Sequence, residues 1–330
     1  MMKKPAPMPV IFDTDPGIDD AMALYLLAHH PALELRAITT VFGNAGVDVT
    51  SRNGQLLAAL FDQQVPVAKG AAGPLHVDAE REFSVHVHGD DGLGGMAAMI
   101  DAEVPALDAR PASQLICDMV NAEPGAITLI AVGPLTNLAL ALRHDPGIAA
   151  KVHRVIVMGG AFGTQARCGN VTPVAEANII NDPEAADLVF SADWPVVIVG
   201  LDVTHETVMT ESYLSNLQGR GAGVGVCVGD FLWQATRHYQ DFYQSVDGIN
   251  GVYAHDASAI VYAIEPAAFT LRAGPVRVVT EGIARGQTIQ DFRKPSGAVT
   301  PWSGCPAQQV CIAVRPERVL AIFDQAFDAS

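Results

Sequence analysis

The chain has 330 residues, 49% of them hydrophobic and 17% charged, a balance that is typical of a folded globular protein and excludes a disordered one. Aspartate and glutamate number 36 against 20 lysines and arginines, and the formal net charge of -16 disfavours nucleic acid and anionic membranes as partners. No long apolar segment typical of a signal peptide precedes Asp13, which predicts a cytoplasmic location. Because no linker interrupts the chain, we expect one domain over residues 1–330.

Short apolar runs alternate with helical patterns along the first two thirds of the chain. Each predicted strand is followed by a predicted helix, at residues 9–12 and 21–30, 35–41 and 47–61, and 127–132 and 135–143. The rhythm continues with a strand at 154–158, a helix at 183–191 and a strand at 196–201. Strands that alternate with helices predict an α/β fold with a mainly parallel, helix-flanked central sheet.

The pattern changes in the C-terminal third of the chain. Longer helical stretches follow Asp202, at about 224–245 and at 257–264, and strand-like segments come next at 276–280 and 310–314. We expect these helices to form a helical cap on the same domain.

The strongest chemical signal is an acidic turn in the segment VIFDTDPGIDDAMAL. Side chains alternate along a strand, so Asp13 and Asp15 are expected on the same side. Asp19 and Asp20 fall at the start of the next helix, where the helix dipole favours negative charge. Four converging carboxylates repel one another unless a cation neutralises them, and oxygen ligands favour Ca²⁺ or Mg²⁺. Helix capping explains only one or two of the four aspartates.

Two other kinds of protein share the D-x-D pattern. An EF-hand loop counted from Asp13 requires Gly and Glu at positions that hold Ile18 and Leu24 in this chain. A metal-dependent phosphatase of the haloacid-dehalogenase type would use Asp13 as its nucleophile, but Thr or Val is expected where Gly17 stands. The phosphatase stays open as an alternative enzyme.

The segment DTDPGIDDAMAL resembles the N-terminal signature of the inosine-uridine-preferring nucleoside hydrolase family. The similarity recurs along the chain in ITTVFGN, HGDDGLGG, AVGPLTNLALAL, MGGAFG, GNVTPVAEANIINDPEAA and HDASAI. The resemblance implies a nucleoside hydrolase-like, Rossmann-like fold over residues 1–330. It also implies Ca²⁺-dependent hydrolysis of the N-glycosidic bond of purine or pyrimidine ribonucleosides, by a homodimer or homotetramer.

The same resemblance implies the metal ligands and the catalytic base. Ca²⁺ is expected to bind Asp15, Asp20, Asp256 and the backbone carbonyl of Val132, a position where many relatives have Thr. A carbonyl oxygen is an ordinary Ca²⁺ ligand, so the valine should be tolerated. Asp15 is also expected to take a proton from the attacking water, which reaches C1' through an oxocarbenium-like transition state.

A ribose site needs polar groups that pair with each hydroxyl, because a buried hydroxyl without a partner is unfavourable. By resemblance, Asp19 contacts the 2'-hydroxyl, Asn178 and Asp256 the 3' side, and Asn170 with Glu176 the 5'-hydroxyl, while Asn44 supplies a further polar group. Ala177 stands where the family commonly has Phe, which removes an aromatic surface from the pocket wall.

Several side chains are candidates for the nucleobase end of the site. By resemblance, His88 lies near the base, and His255, beside Asp256, is expected to give the leaving base a proton or a hydrogen bond. His86 and His88 alternate on a strand-like face, but zinc would need a third ligand nearby. Further candidates come from HYQDFYQSVDGINGVY, namely His238, Tyr239, Asp241, Tyr243 and Tyr253.

The residues leave two questions of function open. The preferred base depends on loop packing, so purine, pyrimidine and mixed preferences all remain possible. A protein that binds nucleosides or ribose without catalysis is a second alternative, which the intact set of carboxylates disfavours.

Overall fold

The computed structural model describes residues 6–76, 83–293 and 299–328. Its strands are β1 Met8–Thr14, β2 Leu33–Thr40, β3 Val67–Lys69, β4 Thr128–Ala131, β5 Arg154–Met158, β6 Val196–Val199, β7 Val208–Thr210, β8 Gly251–Tyr253, β9 Phe269–Val278, β10 Thr288–Gln290 and β11 Ala307–Val314. Its helices are α1 Ile18–His29, α2 Val47–Leu60, α3 Val85–His88, α4 Ala112–Ala122, α5 Thr136–His144, α6 Ala177–Asn181, α7 Pro183–Ser191, α8 Leu201–Thr204, α9 Glu211–Ser215, α10 Val228–Val246, α11 His255–Ile264 and α12 Pro316–Asp328.

A nine-stranded sheet organises the chain, in the order β10-β9-β11-β6-β5-β4-β1-β2-β3. The strands from β11 to β3 are parallel, whereas β9 runs antiparallel to both of its neighbours. The expected mainly parallel α/β sheet is therefore confirmed. The order β3-β2-β1-β4-β5-β6 is that of a doubly wound Rossmann sheet, in which ligands bind where the winding reverses. Here the reversal lies between β1 and β4.

Each face of the sheet is covered by helices because β1 is apolar on both sides. Val10 and Phe12 pack into the layer that contains α1, α10, α11 and α12. Ile11, between them in the chain, faces the opposite layer, which contains α4, α5 and α7. This alternation explains why the central strands are continuous apolar runs rather than alternating ones.

The C-terminal third contains the expected helices and also extends the sheet. Helices α10 and α11 lie near the predicted stretches, and α11 packs against α1 within the same domain. Strands β9 and β11, near the two predicted segments, return to the central sheet beside β6. A small antiparallel pair, β7 and β8, leads into α11 and was not predicted. In the described part of the chain, no helix combines the length and apolarity needed to cross a bilayer.

Candidate active site

A cavity of about 650 Å³ opens beyond the carboxyl ends of the central strands. It is lined by most of the residues expected to bind substrate or metal, namely Asp19, Asn44, His88, Val132, Asn170, Glu176, Asn178, His255 and Asp256. Asp15 and Asp20 are each 1% exposed and lie behind this lining. The fold therefore gathers residues that are far apart in the chain at the reversal point of the sheet.

Three carboxylates meet at the floor of the cavity. One oxygen each of Asp19, Asp20 and Asp256 lies within 4.8 Å of the others. Asp19 and Asp20 lie in the first turn of α1 and Asp256 in the first turn of α11, so two helix dipoles favour negative charge there. The backbone N–H of Gly17 donates to Asp20 Oδ2 at 2.9 Å, and the Thr14 hydroxyl donates to Oδ1.

Burial raises the pKa of all three carboxyls at the floor. The pKa is raised to about 6 for Asp19 by burial, and to about 6 for Asp20 by burial and the charge of Asp19. The pKa of Asp256 is raised well above its ordinary value by burial and the neighbouring aspartates. Such uncompensated charges at short distance are what a bound cation relieves.

Asp15 places a free acceptor beside this cluster. Its Oδ2 accepts a hydrogen bond from the backbone N–H of Asn44 at 2.7 Å, whereas its buried Oδ1 has no hydrogen-bond partner among the described residues. A Cβ added at Gly133 would lie 2.5 Å from Oδ1, so only glycine leaves room for this carboxylate. Burial, followed by the charge of Asp20, raises the pKa of Asp15 well above 3.8.

Asp13 does not join the carboxylate cluster, which corrects the expectation of four converging aspartates. Its Oδ1 accepts hydrogen bonds from Thr39 Oγ1 at 2.6 Å and Asn137 Nδ2 at 2.8 Å. Strand β1 ends at Thr14, so the alternation that was expected to align Asp13 with Asp15 does not extend to Asp15. Asp13 instead ties β1 to β2 and α5.

Backbone contacts hold the polar groups on the wall formed by residues 169–178. Asn178 Nδ2 donates to the carbonyl of Val132 at 2.8 Å. The Glu176 carboxylate caps α6 by accepting from the N–H groups of Asn178 at 2.9 Å and Ile179 at 3.1 Å. Asn170 Oδ1 accepts from the N–H of Ala177 at 3.0 Å. These bonds orient the wall before any ligand binds.

A chain of hydrogen bonds connects the acidic floor to His255. Tyr239 donates to Asp19 Oδ2 at 3.2 Å, and its hydroxyl lies 3.0 Å from that of Tyr243. The Tyr243 hydroxyl lies 2.7 Å from His255 Nε2, and the Thr204 hydroxyl lies 2.8 Å from His255 Nδ1. Tyr239 and Tyr243 thus contribute to the site, whereas His238, Asp241 and Tyr253 do not line the cavity.

The directions of these bonds determine the tautomer of His255. A phenol donates one proton, so Tyr239, which donates to Asp19, must accept from Tyr243. Tyr243 then accepts from His255 Nε2–H, and Nδ1 accepts from Thr204. Burial, with the charges of His205 and His88, lowers the pKa of His255 well below 6.5, so its ring is neutral near pH 7.

His88 lies on a short helix rather than on a strand, and the predicted strand-like alternation with His86 is wrong. Residues Val85–His88 form α3, which leaves His86 exposed and His88 5% exposed in the cavity wall. His88 Nδ1 accepts from the backbone N–H of Ile18 at 3.3 Å and lies 4.0 Å from Asp19 Oδ1. Burial lowers the pKa of His88 to about 4.

The sequence model of a protein family, the inosine-uridine preferring nucleoside hydrolases, matches residues 10–321 of the chain. The chain belongs to this family. It is a hydrolase that acts on N-glycosyl bonds. The resemblance seen in the motifs is therefore confirmed.

Relatives within the family match almost end to end. Uridine nucleosidase 1 of Arabidopsis thaliana is 37% identical over 317 residues, which cover 94% of this chain and 90% of the relative. The inosine-uridine preferring nucleoside hydrolase of Leishmania major is 40% identical over 292 residues, which cover 88% of this chain and 89% of the relative. The solved structure of a plant nucleoside hydrolase superposes with a TM-score of 0.92 at 35% identity and covers 98% of this chain and 100% of its own.

In this member of the family, the residues at the floor suit a metal ion. The three clustered carboxylates, the unpartnered Asp15 Oδ1 and the nearby carbonyl of Val132 are all oxygen donors. A hard cation such as Ca²⁺ or Mg²⁺ prefers such a set. The family resemblance assigned Asp19 to the 2'-hydroxyl and not to the metal, whereas the structure groups its carboxylate with those of Asp20 and Asp256.

Two buried polar residues that support this nucleoside hydrolase site, and several that line its cavity, including Phe242 and Asp247, were missed from the sequence. Asn137 links Asp13 to the carbonyl of Thr40 at 2.9 Å, and Thr204 bonds His255. Asn137 lies within the AVGPLTNLALAL motif, at the start of α5, where it is buried. A polar residue in this otherwise apolar motif was a signal that could have identified it. Thr204 had no such signal, because its contact with His255 spans 51 positions of the chain.

Proposed function

We propose that this chain hydrolyses the N-glycosidic bond of ribonucleosides to ribose and free base, with Ca²⁺ at the acidic floor and Asp15 as general base. The buried, unpartnered Oδ1 of Asp15 beside the carboxylates of Asp19, Asp20 and Asp256 supports this function most directly. Such an oxygen is suited to hold a cation or to accept a proton, and a purely structural role would leave it unsatisfied.

Asp15, Asp20, Asp256 and the carbonyl of Val132 would hold the ion, with the carboxylate of Asp19 close by. When bound, Ca²⁺ supplies positive charge that compensates these carboxylates and lowers the pKa of a water molecule in its shell. With that charge present, the carboxylates stay ionised despite their burial, and Asp15 is able to act as a base.

The polar groups around the floor orient the ribose. Asp19, Asn178 and Asp256 line the cavity within reach of a cis-diol that faces the floor. The backbone bonds that fix Asn178 restrict its rotamers, so little ordering is required when the diol binds. Asn170 and Glu176, on the adjoining wall, receive the 5'-hydroxyl.

The reaction requires one proton to be removed and one to be supplied. Asp15 takes a proton from water as the water oxygen forms a bond to C1'. The C1'–N bond breaks, its electron pair goes to the base, and C1' passes through an oxocarbenium-like state without a covalent intermediate. The departing base receives its proton or hydrogen bond from the His255 region, which the hydroxyls of Tyr243 and Tyr239 connect to the carboxylate of Asp19.

Ribose release tests this function. Purified protein treated with a chelator is expected to release no reducing sugar from uridine or inosine, and added Ca²⁺ is expected to restore turnover. Full activity after thorough chelation would contradict the metal-dependent mechanism. Phosphate release from a phosphomonoester, with no ribose release from nucleosides, would favour the phosphatase alternative. Nucleoside binding without turnover would indicate a binding protein.

Substitution of His255 by alanine is expected to reduce turnover by about 10²- to 10⁴-fold on inosine and uridine, because the proton or hydrogen bond that the His255 region gives to the leaving base is lost. The loss should be much smaller on p-nitrophenyl riboside, whose leaving group departs as a stabilised anion. The measurement is kcat for all three substrates under saturating Ca²⁺. Equal losses on all three would assign His255 to the shape of the pocket.

The buried carboxylates predict how stability depends on pH. The pKa is raised by burial from 3.8 to about 7 for Asp13 and to about 6 for Asp19 and Asp20. Between about pH 4 and pH 7 these carboxyls therefore bind more protons in the folded metal-free protein than in the unfolded chain, and their contribution to the free energy of unfolding falls as pH rises. The lowered pKa values of His88 and His255 act in the opposite direction below about pH 6.5. We expect a lower Tm at pH 8 than at pH 5 in chelator.

Thermal unfolding of the metal-free protein across this pH range checks the linkage. Ca²⁺ should raise Tm more at pH 8 than at pH 5, because it binds the ionised carboxylates of the folded state. Asp13→Asn, which removes one titrating carboxyl, should weaken the pH dependence. A Tm that rises steadily from pH 5 to pH 8 in chelator would show that these pKa values are not raised.

We also propose a homodimer or homotetramer in the cytoplasm, without nucleic acid or membrane partners. The net charge of -16 supports the absence of polyanionic partners. Light scattering of the purified protein measures the number of subunits.

A further inference from the structure

One face of α10 lines the cavity from its floor to its mouth. Tyr239 and Tyr243 lie on α10, Asp247 follows at its C-terminal end, and all three line the cavity. Their spacing of four residues places them on one side of the helix. Tyr239 donates to Asp19 at the floor, whereas Asp247 is exposed to solvent. Eight residues of helix rise about 12 Å, so Asp247 lies roughly that far along the wall from Tyr239.

Two walls of the cavity, one formed by α10 and the other by residues 169–178, determine how the nucleoside lies along the α10 face. A ribose whose 2'- and 3'-hydroxyls face the acidic floor carries its C1' and C4' substituents at opposite ends of the ring, both on the face away from the floor. The side chains able to give a proton to a leaving base, Tyr243 and His255, lie on the α10 side. The wall of residues 169–178 carries Glu176 and Asn170, which accept from a 5'-hydroxyl. The base therefore extends along α10 toward Asp247.

The outer end of this wall offers an apolar surface and one acceptor. Val246 is 56% exposed and lines the cavity beside Asp247. The side chain of Tyr253 is a neighbour of the Asp247 carboxylate, whose charge adds to burial in raising the pKa of the phenol. The other carboxylates among the described residues that line the cavity are Asp19, Asp256 and Glu176, and these belong to the floor or to α6.

We propose that Asp247 is a specificity-determining residue that contacts the edge of the base remote from the glycosidic bond. An ionised carboxylate only accepts hydrogen bonds. It therefore favours bases with an N–H at purine N1 or pyrimidine N3, as in hypoxanthine, guanine and uracil. Adenine and cytosine present a lone pair at that position, which faces the carboxylate unfavourably. This selectivity rests on the proposed nucleoside hydrolysis, and it defines the preferred bases within it.

The test compares kcat/KM for inosine and adenosine in the wild-type protein, Asp247→Asn and Asp247→Ala, all with saturating Ca²⁺. An amide both donates and accepts, so Asp247→Asn tolerates either edge. The ratio of inosine to adenosine efficiency is expected to fall about tenfold in both variants, in line with the loss of one hydrogen-bond contact at an accessible site. Comparing ratios cancels the different intrinsic reactivity of the two bases.

Asp241→Asn is the matched control, because it removes the same charge from the same helix at an exposed residue that does not line the cavity. Its inosine to adenosine ratio should stay within twofold of the wild type. A ratio that is unchanged in both Asp247 variants, or that falls equally in Asp241→Asn, would overturn the role of Asp247. Absence of turnover on every nucleoside in the wild type would instead reject the proposed function.

Discussion

Replacing Asp15 with alanine is expected to lower kcat on uridine by at least about 10³-fold, because one carboxylate is assigned both to the metal and to proton transfer. Asp15 Oδ1 is buried and has no hydrogen-bond partner among the described residues, and its side chain is not tied to neighbouring side chains as that of Asp13 is through Thr39 and Asn137. The measurement is single-substrate kinetics at saturating Ca²⁺, with the Ca²⁺ affinity of each variant determined by calorimetry.

Two variants separate the roles of Asp15. Asp15→Asn keeps an oxygen that accepts from the Asn44 N–H, but it loses the ability to take a proton, so kcat should fall more than the Ca²⁺ affinity. Asp13→Asn is the matched control, since its amide oxygen still accepts from Thr39 and Asn137. The kcat of Asp13→Asn should fall by less than about tenfold, because a neutral hydrogen-bond acceptor replaces a charged one and the hydrogen bonds are kept. Near wild-type kcat in Asp15→Asn would eliminate Asp15 as the base.

Removal of the 2'-hydroxyl from the substrate is expected to reduce kcat/KM by about 10⁴-fold or more, because sites built around a hydroxyl discriminate strongly against its absence. Asp19, the expected partner of the 2'-hydroxyl, would lose that partner at the floor, where its carboxylate lies within 4.8 Å of that of Asp256. The comparison is uridine against 2'-deoxyuridine with the wild-type protein.

5'-Deoxyuridine is the control for this comparison, since it lacks one hydroxyl at the other end of the ribose. Asn170 is exposed at that end, so water can replace the lost hydroxyl there and the penalty should be smaller. Similar efficiency on uridine and 2'-deoxyuridine would reject binding of the diol at the acidic floor.

The sequence by itself determined the architecture and the acidic floor. The continuous apolar runs of β1, β2, β4, β5 and β6 predicted buried parallel strands, because such strands are covered on both faces. The turn after β1 placed Asp19 and Asp20 at a helix start, which is a local consequence of chain direction and spacing. Family motifs added the distant Asp256.

Only the tertiary structure decided which polar groups meet. Asp13 pairs with Asn137 across 124 positions of the chain, and Tyr239 reaches Asp19 across 220. Both contacts depend on how helices pack on the sheet, and periodicity within a segment carries no information about such long-range pairs. The helical conformation of His88 was likewise missed, because a four-residue segment has too few positions to distinguish a period of two from one of 3.6. Local spacing therefore predicted the carboxylates, whereas packing determined their hydrogen-bond partners.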